Sequence, residues 1–366
     1  MNPSEFESEN KMKVAILGSG NGACATAADW SLHGHKVRMF DFESFTKVVN
    51  AIDAQGGIYA EGDVDGFAEI EHVGTDIKKT IDGADLIIAV GPSYSSEPFA
   101  NAVKDIISEK QIYILSPGSN GGALVTKKIF DKTDNAKNVV IAETSTLPYA
   151  SRNTQPGYVK VYLKLIGGLY LAAIPHSETE RVLRLFQEVY PHTEAAKNLF
   201  QTMLQNGNTV IHPAVTLLNA GLIERTHGDF LFYEEGVTPA VGRVMEAIDK
   251  ERVKIGEKLG VRIIPDPELG VMQGYMTEAN YSTGYSKAPG FKGIRAQCEL
   301  NHRYLHEDAG YGLVFLLDLA KSIGVETPHI NAILDIASIV AQRDYLKEAV
   351  RTLKGIGYSI EEVKKL

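Results

Sequence analysis

The chain has 366 residues, 44% of them hydrophobic, and a formal charge of −9. That length exceeds one ordinary core and predicts about two domains. The acidic balance argues against a large basic surface for nucleic acid, and no apolar run reaches the roughly 18 residues that span a bilayer.

The opening stretch "MNPSEFESENK" is acidic and polar, unlike a secretory signal, and residues 1–12 are expected to form a flexible tail. From residue 13 the sequence reads "KVAILGSGNGACATAADWSLHGHKVRMFD". "VAIL" is a short buried strand running directly into Gly18-Ser19-Gly20-Asn21-Gly22-Ala23; helix-forming residues follow, then a second strand, "KVRMF", ending at Asp41. This is G-x-G-x-x-A in the strand–turn–helix context that gives the motif meaning. Gly18 permits the tight turn, Gly20 lets backbone approach a pyrophosphate, and Ala23 keeps the helix close to the sheet. The N–H groups of Asn21 and Gly22 open that helix and favour an anion. Asp41 stands where a carboxylate binds the adenosine ribose diol and repels a 2′-phosphate, so NAD is expected over NADP.

The strand–helix alternation continues through "ADLIIAV" (84–90), a helix near 96–108, "QIYILS" (111–116) and "NVVIAE" (138–143). Strands whose ends open into Gly/Ser/Thr loops mark the ligand edge of an open parallel sheet. Pro92 and Ser93 are therefore candidate cofactor contacts, and Asn120 and the Thr144-Ser145 loop border the same edge. "YVKVYLKL" and "LYLAAIP" predict two further strands, and Ser177-x-x-Glu180 predicts a capping box for a helix at about 178–190. Glu143 and Arg152 are expected to pair structurally.

Beyond about 195 the pattern becomes helical. Thr238-Pro239 and Thr327-Pro328 each read as an N-cap followed by proline at the first helical position, and "YGLVFLLDLAKSIG" is a strongly apolar helix between them. Residues 266–302 lack clear periodicity and predict a long irregular connection with short helical pieces, the kind of loop that is usually functional. The expected fold class is α/β: a Rossmann-type parallel-sheet domain over 13–195, then an all-α domain over 196–366.

Two stretches carry chemistry. In "NGNTVIHPAVTLLNAG" (206–221), Asn208, His212 and Asn219 fall within roughly 40° of one another on a helix, one polar stripe on an apolar surface. Pro213 cannot donate to the carbonyl of residue 209, so a kink is expected there. The stripe reads either as a core histidine held by two asparagines or as a general acid/base facing a nicotinamide. In "LNHRYLHEDAGYGLV" (300–314), Arg303, His306, Glu307 and Asp308 precede an apolar helix. That cluster reads as a solvated cap, or as the complement of His212: a carboxylate to orient an imidazole and a guanidinium to grip a carboxylate. Cys24 and Cys298 make no disulfide framework, the histidines and carboxylates show no metal spacing, and a reduced, cytoplasmic setting is expected.

With "LSPGSNGGAL", "ETSTLPYASR", "VIHPAVTLLNAG", "FYEEGVTPAVG" and "NHRYLHEDAGYGLV" taken together, the chain resembles the opine dehydrogenase family of octopine/nopaline type, in its bacterial branch, from Val14 to about Leu353. The resemblance implies reductive condensation of an amino acid with a 2-oxo acid such as pyruvate, with NAD as cofactor. It places the catalytic histidine on His212, its paired aspartate on Asp308 and the substrate-binding arginine on Arg303. Asn208 and Asn219 read either as completing the polar lining or as helix-to-helix hydrogen bonds, and Asn120 reads as a substrate contact. Members of the family usually carry Val after that aspartate, often followed by Pro; this chain has Ala309-Gly310. Other expected features are small-molecule partners only and a homodimer. The competing readings are a 2-hydroxy-acid, glycerol-3-phosphate or ketopantoate reductase type of dehydrogenase, of which the last two use a lysine that this chain lacks at the His212 motif. A non-catalytic NAD-binding protein would not need His212, Arg303 and Asp308 to converge.

Overall fold

The computed structural model describes residues 11–366. The expected tail falls largely on residues 1–10, outside the described residues. Met12 is buried, and its backbone N–H donates to His35 Nδ1 at 3.3 Å. Two compact units are present. The first comprises the described residues up to Pro117 with Val125–Lys164 and Ala173–Pro191; the second comprises Gly118–Leu124, Leu165–Ala172 and His192–Leu366.

In the first unit, β1 (Lys13–Leu17) leads through the glycine-rich turn into α1 (Asn21–Leu32) and on to β2 (Lys36–Phe40). Strands β3 (Gly57–Gly62), β4 (Gly66–Glu69) and β5 (His72–Gly74) follow, then β6 (Leu86–Ala89), α2 (Ser96–Val103), β7 (Ile112–Leu115) and β8 (Val140–Thr144). The main sheet is parallel, in the order β8-β7-β6-β1-β2-β5. Its central strands are buried on both faces, which is why they read as continuous apolar runs rather than alternating ones.

A second sheet was not expected. Strands β9 (Tyr149–Gln155) and β10 (Tyr158–Lys164) form an antiparallel pair, β10 lies parallel to β3, and β4 closes the edge, giving β4-β3-β10-β9. Only β10 of these four had a visible strand signal.

Two local expectations in the first unit are corrected. α3 (Thr179–Phe186) starts after Glu178 with no side-chain cap, so no Ser177–Glu180 capping box forms. A three-residue 3-10 turn over His176–Glu178 occupies the place of the cap, and Thr179 Oγ1 accepts from the Ala173 N–H instead. Arg152 does not pair with Glu143; its guanidinium donates to the carbonyl of its neighbour Ser151.

β11 (Leu169–Ile174), whose first four residues belong to the second unit, pairs in parallel with β12 (Thr193–Ala195), and the second unit is otherwise mainly helical, with irregular chain and short helical pieces over 274–302. The principal helices are α4 (Asn208–Leu218), α5 (Pro239–Leu259), α6 (Asp266–Gln273), α7 (Val314–Ser322) and α8 (Pro328–Val340). α5 follows its sequence signals: Thr238 accepts from the Val241 N–H, Pro239 takes the first position, and Gly260 closes the helix at φ 78°. α8 starts at Pro328 as expected, but Thr327 makes no cap. Glu251 of α5 does so instead, accepting from the backbone N–H groups of His329 and Ile330 at 2.9 and 2.8 Å. Among the described residues, no helix is long and apolar enough to cross a membrane, and no cluster of His, Cys, Asp and Glu could hold a metal ion.

Candidate active site

The glycine-rich turn has the form that a dinucleotide requires. Gly18 sits at φ 119°, and a Cβ there would come within 2.5 Å of the Val90 carbonyl oxygen and 3.3 Å of Ala23 Cβ. Close packing of strand, turn and helix therefore depends on Gly18 and on the small Ala23. A Cβ on Gly20 would meet nothing within 4 Å, which leaves open space beside its backbone. No side chain caps the start of α1, where the first N–H groups have no helical acceptor. Asp41 stands at the end of β2 and is buried; its carboxylate accepts from Ser19 Oγ at 2.6 Å and from the Phe42 N–H at 2.8 Å. Burial raises the Asp41 pKa, and those two hydrogen bonds offset part of the rise. Ser93 is buried at the first turn leading into α2, directly after Pro92.

Asn153 was not anticipated here. Its backbone N–H donates to Asn21 Oδ1 at 2.8 Å, and its amide nitrogen reaches the Ser19 carbonyl at 3.4 Å. A strand of the second sheet thus staples the turn from 132 residues away, a separation that no local pattern reveals. Cys24 lies behind the turn, where burial pushes its thiol up to about 12 and makes it a poor nucleophile.

The second constellation is built wholly within the second unit. α4 runs from Asn208 to Leu218 straight through Pro213, whose missing N–H leaves the Thr209 carbonyl without its intrahelical donor. His212 precedes that proline and is buried. Its Nδ1 lies 2.7 Å from Asp308 Oδ2, across 96 residues of sequence. Asp308 opens a π-helical turn, Asp308–Leu313, in which Gly312 N–H donates to the Glu307 carbonyl. Such wide turns insert one residue into a helix and recur at functional sites. Here the residues that depart from the family pattern, Ala309 and Gly310, lie inside the turn. A Cβ on Gly310 would come within 2.9 Å of the Tyr345 ring, and one on Gly312 would overlap Thr209 Cγ2. Gly312 lets the turn press against α4, where Asp308 reaches His212, and Gly310 lets it press against Tyr345.

The imidazole is clamped on its other sides. Tyr304 stacks on it with ring centroids 3.8 Å apart and planes 19° apart, Phe232 meets it edge-on, and Tyr233 Oη lies 3.2 Å from Nε2. Arg303 lies over the Tyr304 ring, 5.6 Å from its centroid, and donates to Glu307 at 3.0 Å. Burial works against the charge of Arg303, but Glu307 and Asp308 more than compensate and raise its pKa.

The structure therefore brings His212, Asp308 and Arg303 together around one tyrosine. Asn120 is buried at φ 55°, and its amide nitrogen lies 3.7 Å from where a Cβ on Gly312 would stand. Asn208 is the first residue of α4, its N–H held by Asn206 Oδ1. Asn219 stands apart from the histidine: its amide donates to the carbonyls of Val215 and Gly236 and ties off the end of α4. Tyr233 and Tyr304 were missed as site residues because aromatic side chains in apolar stretches read as core. The only signal was their place inside "FYEEG" and "HRYLHED".

Comparison with known proteins shows the family of the chain. Residues 195–341 match the family described as NAD/NADP octopine/nopaline dehydrogenase, alpha-helical domain. An opine dehydrogenase of Arthrobacter sp. (strain 1C) is 35% identical over 346 residues, covering 94% of this chain and 95% of that protein. Among solved structures, octopine dehydrogenase in complex with NADH and agmatine superposes with a TM-score of 0.79 at 19% identity, covering 97% and 98% of the two chains. The same enzyme with NADH and pyruvate gives 0.70 at 19% identity, over 90% and 89%. The chain belongs to the opine dehydrogenase family, oxidoreductases that work with a nicotinamide dinucleotide.

Proposed function

We propose that this opine dehydrogenase condenses the amino group of an amino acid with a 2-oxo acid, pyruvate first among the candidates, and reduces the adduct with NADH to a secondary amine dicarboxylate. The observation that carries the reading is the buried His212–Asp308 pair at 2.7 Å. Octopine dehydrogenase, which shares the fold, forms complexes with NADH and L-arginine and with NADH and pyruvate, which supports the substrate class. Gly18, Gly20, Asn21, Gly22, Ala23, Asp41, Pro92 and Ser93 would hold the dinucleotide, which supplies the hydride when bound. Asp41 supports NAD over NADP, because a second negative charge at the 2′ position would face its carboxylate.

The side chains divide the remaining work. Asp308 accepts a hydrogen bond from the Nδ1–H of His212, fixes the tautomer and stabilises the doubly protonated ring. His212 is then the acid that supplies a proton to the departing carbinolamine oxygen, and the base that recovers one in the reverse direction. Arg303, nearly half exposed and held by Glu307 on one side, offers its other N–H groups to a substrate carboxylate. Asn120 and Asn208 are the neighbouring polar groups that would complete the lining. The domain division is proposed at about residue 195, with the dinucleotide site before it and the proton chemistry after it. A homodimer in the reduced cytoplasm is part of the same proposal, and the two free cysteines agree with that compartment.

NADH oxidation followed with pyruvate fixed and a panel of amino acids varied tests the reading. Turnover is expected only with both substrates. His212→Asn is expected to lose on the order of 10²–10⁴ in kcat while still binding NADH. Equal turnover with pyruvate alone would instead assign a 2-hydroxy-acid dehydrogenase.

A further inference from the structure

Both ring nitrogens of His212 are already engaged inside the protein. Nδ1 meets Asp308, and Nε2 meets the Tyr233 hydroxyl at 3.2 Å. Each imidazole nitrogen presents its hydrogen bond in one in-plane direction, so a substrate atom cannot occupy the Nε2 position while Tyr233 holds it. Neither ring is placed to move aside. His212 is stacked on Tyr304 and bound to Asp308. Tyr233 is buried and lies flat on Phe291, with centroids 4.1 Å apart and planes 12° apart. Phe291 in turn stacks on Tyr275 at 4.9 Å, and Phe232 meets Tyr233 edge-on at 5.0 Å. A phenol hydroxyl carries one donor and two acceptor positions, so it can serve Nε2 and a second group at once.

We propose that Tyr233 is a catalytic residue of this enzyme, its hydroxyl passing the proton between His212 Nε2 and the oxygen of the substrate carbinolamine. The proposal rests on the reading of His212 as the general acid/base. In the reductive direction the doubly protonated His212 gives its Nε2 proton to Tyr233 Oη as the tyrosine's own proton moves to the carbinolamine oxygen. The C–O bond breaks, water leaves, and the nitrogen lone pair forms the C=N bond. His212 ends neutral, its retained Nδ1–H still donated to the Asp308 carboxylate, and Tyr233 ends with one proton, as it began. The reverse sequence accompanies oxidation. This chain explains why a buried aromatic stack should be built around a hydroxyl: it fixes the oxygen through which the histidine works.

The test is Tyr233→Phe, which removes only the oxygen and keeps the stacked ring. NADH binding by fluorescence and the KM values of both substrates are expected to change by less than about threefold. kcat is expected to fall by roughly 10²-fold, the scale of one general acid/base contribution. The solvent deuterium effect on kcat and the pH dependence of kcat are expected to change with it, which loss of packing alone would not produce. His212→Asn runs in parallel. An inactive His212→Asn beside a Tyr233→Phe with near-parental kcat and pH profile overturns the relay and leaves the histidine reading intact. An active His212→Asn removes that reading itself. A Tyr233→Phe that raises KM alone makes Tyr233 a binding residue and also overturns the relay. Incorporation of 3-fluorotyrosine at position 233 keeps ring and hydroxyl but makes the phenol more acidic; a shifted pH profile is expected, and an unchanged one counts against the relay even if the phenylalanine variant folds poorly.

Discussion

At the scale of single residues, the proposed preference for NAD rests on Asp41. Its carboxylate is oriented by Ser19 and Phe42 rather than left loose, so a 2′-phosphate would meet a fixed charge. Two unit charges about 4 Å apart repel by about 1–4 kcal/mol between bulk water and a protein surface. Asp41→Ser is therefore expected to shift the kcat/KM ratio of NADPH to NADH by on the order of tenfold or more toward NADPH; an unchanged ratio would show that discrimination lies elsewhere. Asp41 was legible because a strand end at a fixed interval from a glycine turn has a physical meaning. His212 and Asp308 were legible because polar groups inside apolar stretches need a partner or a ligand. Tyr233 and Tyr304 were not, since their rings satisfy the core pattern and their roles depend on a hydroxyl or a ring face meeting another segment.

At the scale of elements, the site is a contact between α4 and the π-turn. Gly312 faces Thr209, three residues before His212, and has no room for a methyl group. Gly312→Ala is expected to destabilise by about 1–3 kcal/mol through overpacking and to lower kcat by spreading His212 from Asp308. Thr209→Ser removes the obstructing Cγ2 and should restore both in the double variant; melting temperature and kcat, measured together, check it. If the single variant is fully active and equally stable, the contact does not set the pair. The sequence marked α4 and the helix after the π-turn by their apolar content, but nothing local announced a wide turn. The same limit applied to β3, β4 and β9. These are short, partly exposed strands whose pairing partners lie far away, so alternation alone did not separate them from loop.

At the scale of the whole molecule, α4 rests on a buried charge network. Arg252 is fully buried between Asp249 and the carbonyls of Leu204 and Ile264, and Asp249 also accepts from the Asp266 N–H and from Tyr281. Asp266 accepts from Tyr285, and its carboxylate lies so close to Gly207 that any side chain there would overlap it. Burial first, and the charge of Asp249 second, push the Asp266 carboxyl from 3.8 up to about 6. Between those values the folded chain holds a proton that the unfolded chain has released. This group therefore makes stability fall as pH rises through that window and adds no further slope above it. Asp266→Asn keeps an acceptor for Tyr285 and cannot ionise. Its melting temperature relative to the parent is expected to climb from pH 4 to pH 6 and then level; a constant difference would refute the assignment. The start of α8 carries a different lesson. The carboxylate that holds its first N–H groups belongs to Glu251, 78 and 79 residues earlier in the chain. A fragment beginning at Thr327 lacks the instruction for its own first turn, so the boundary of that helix is information stored in another part of the polypeptide.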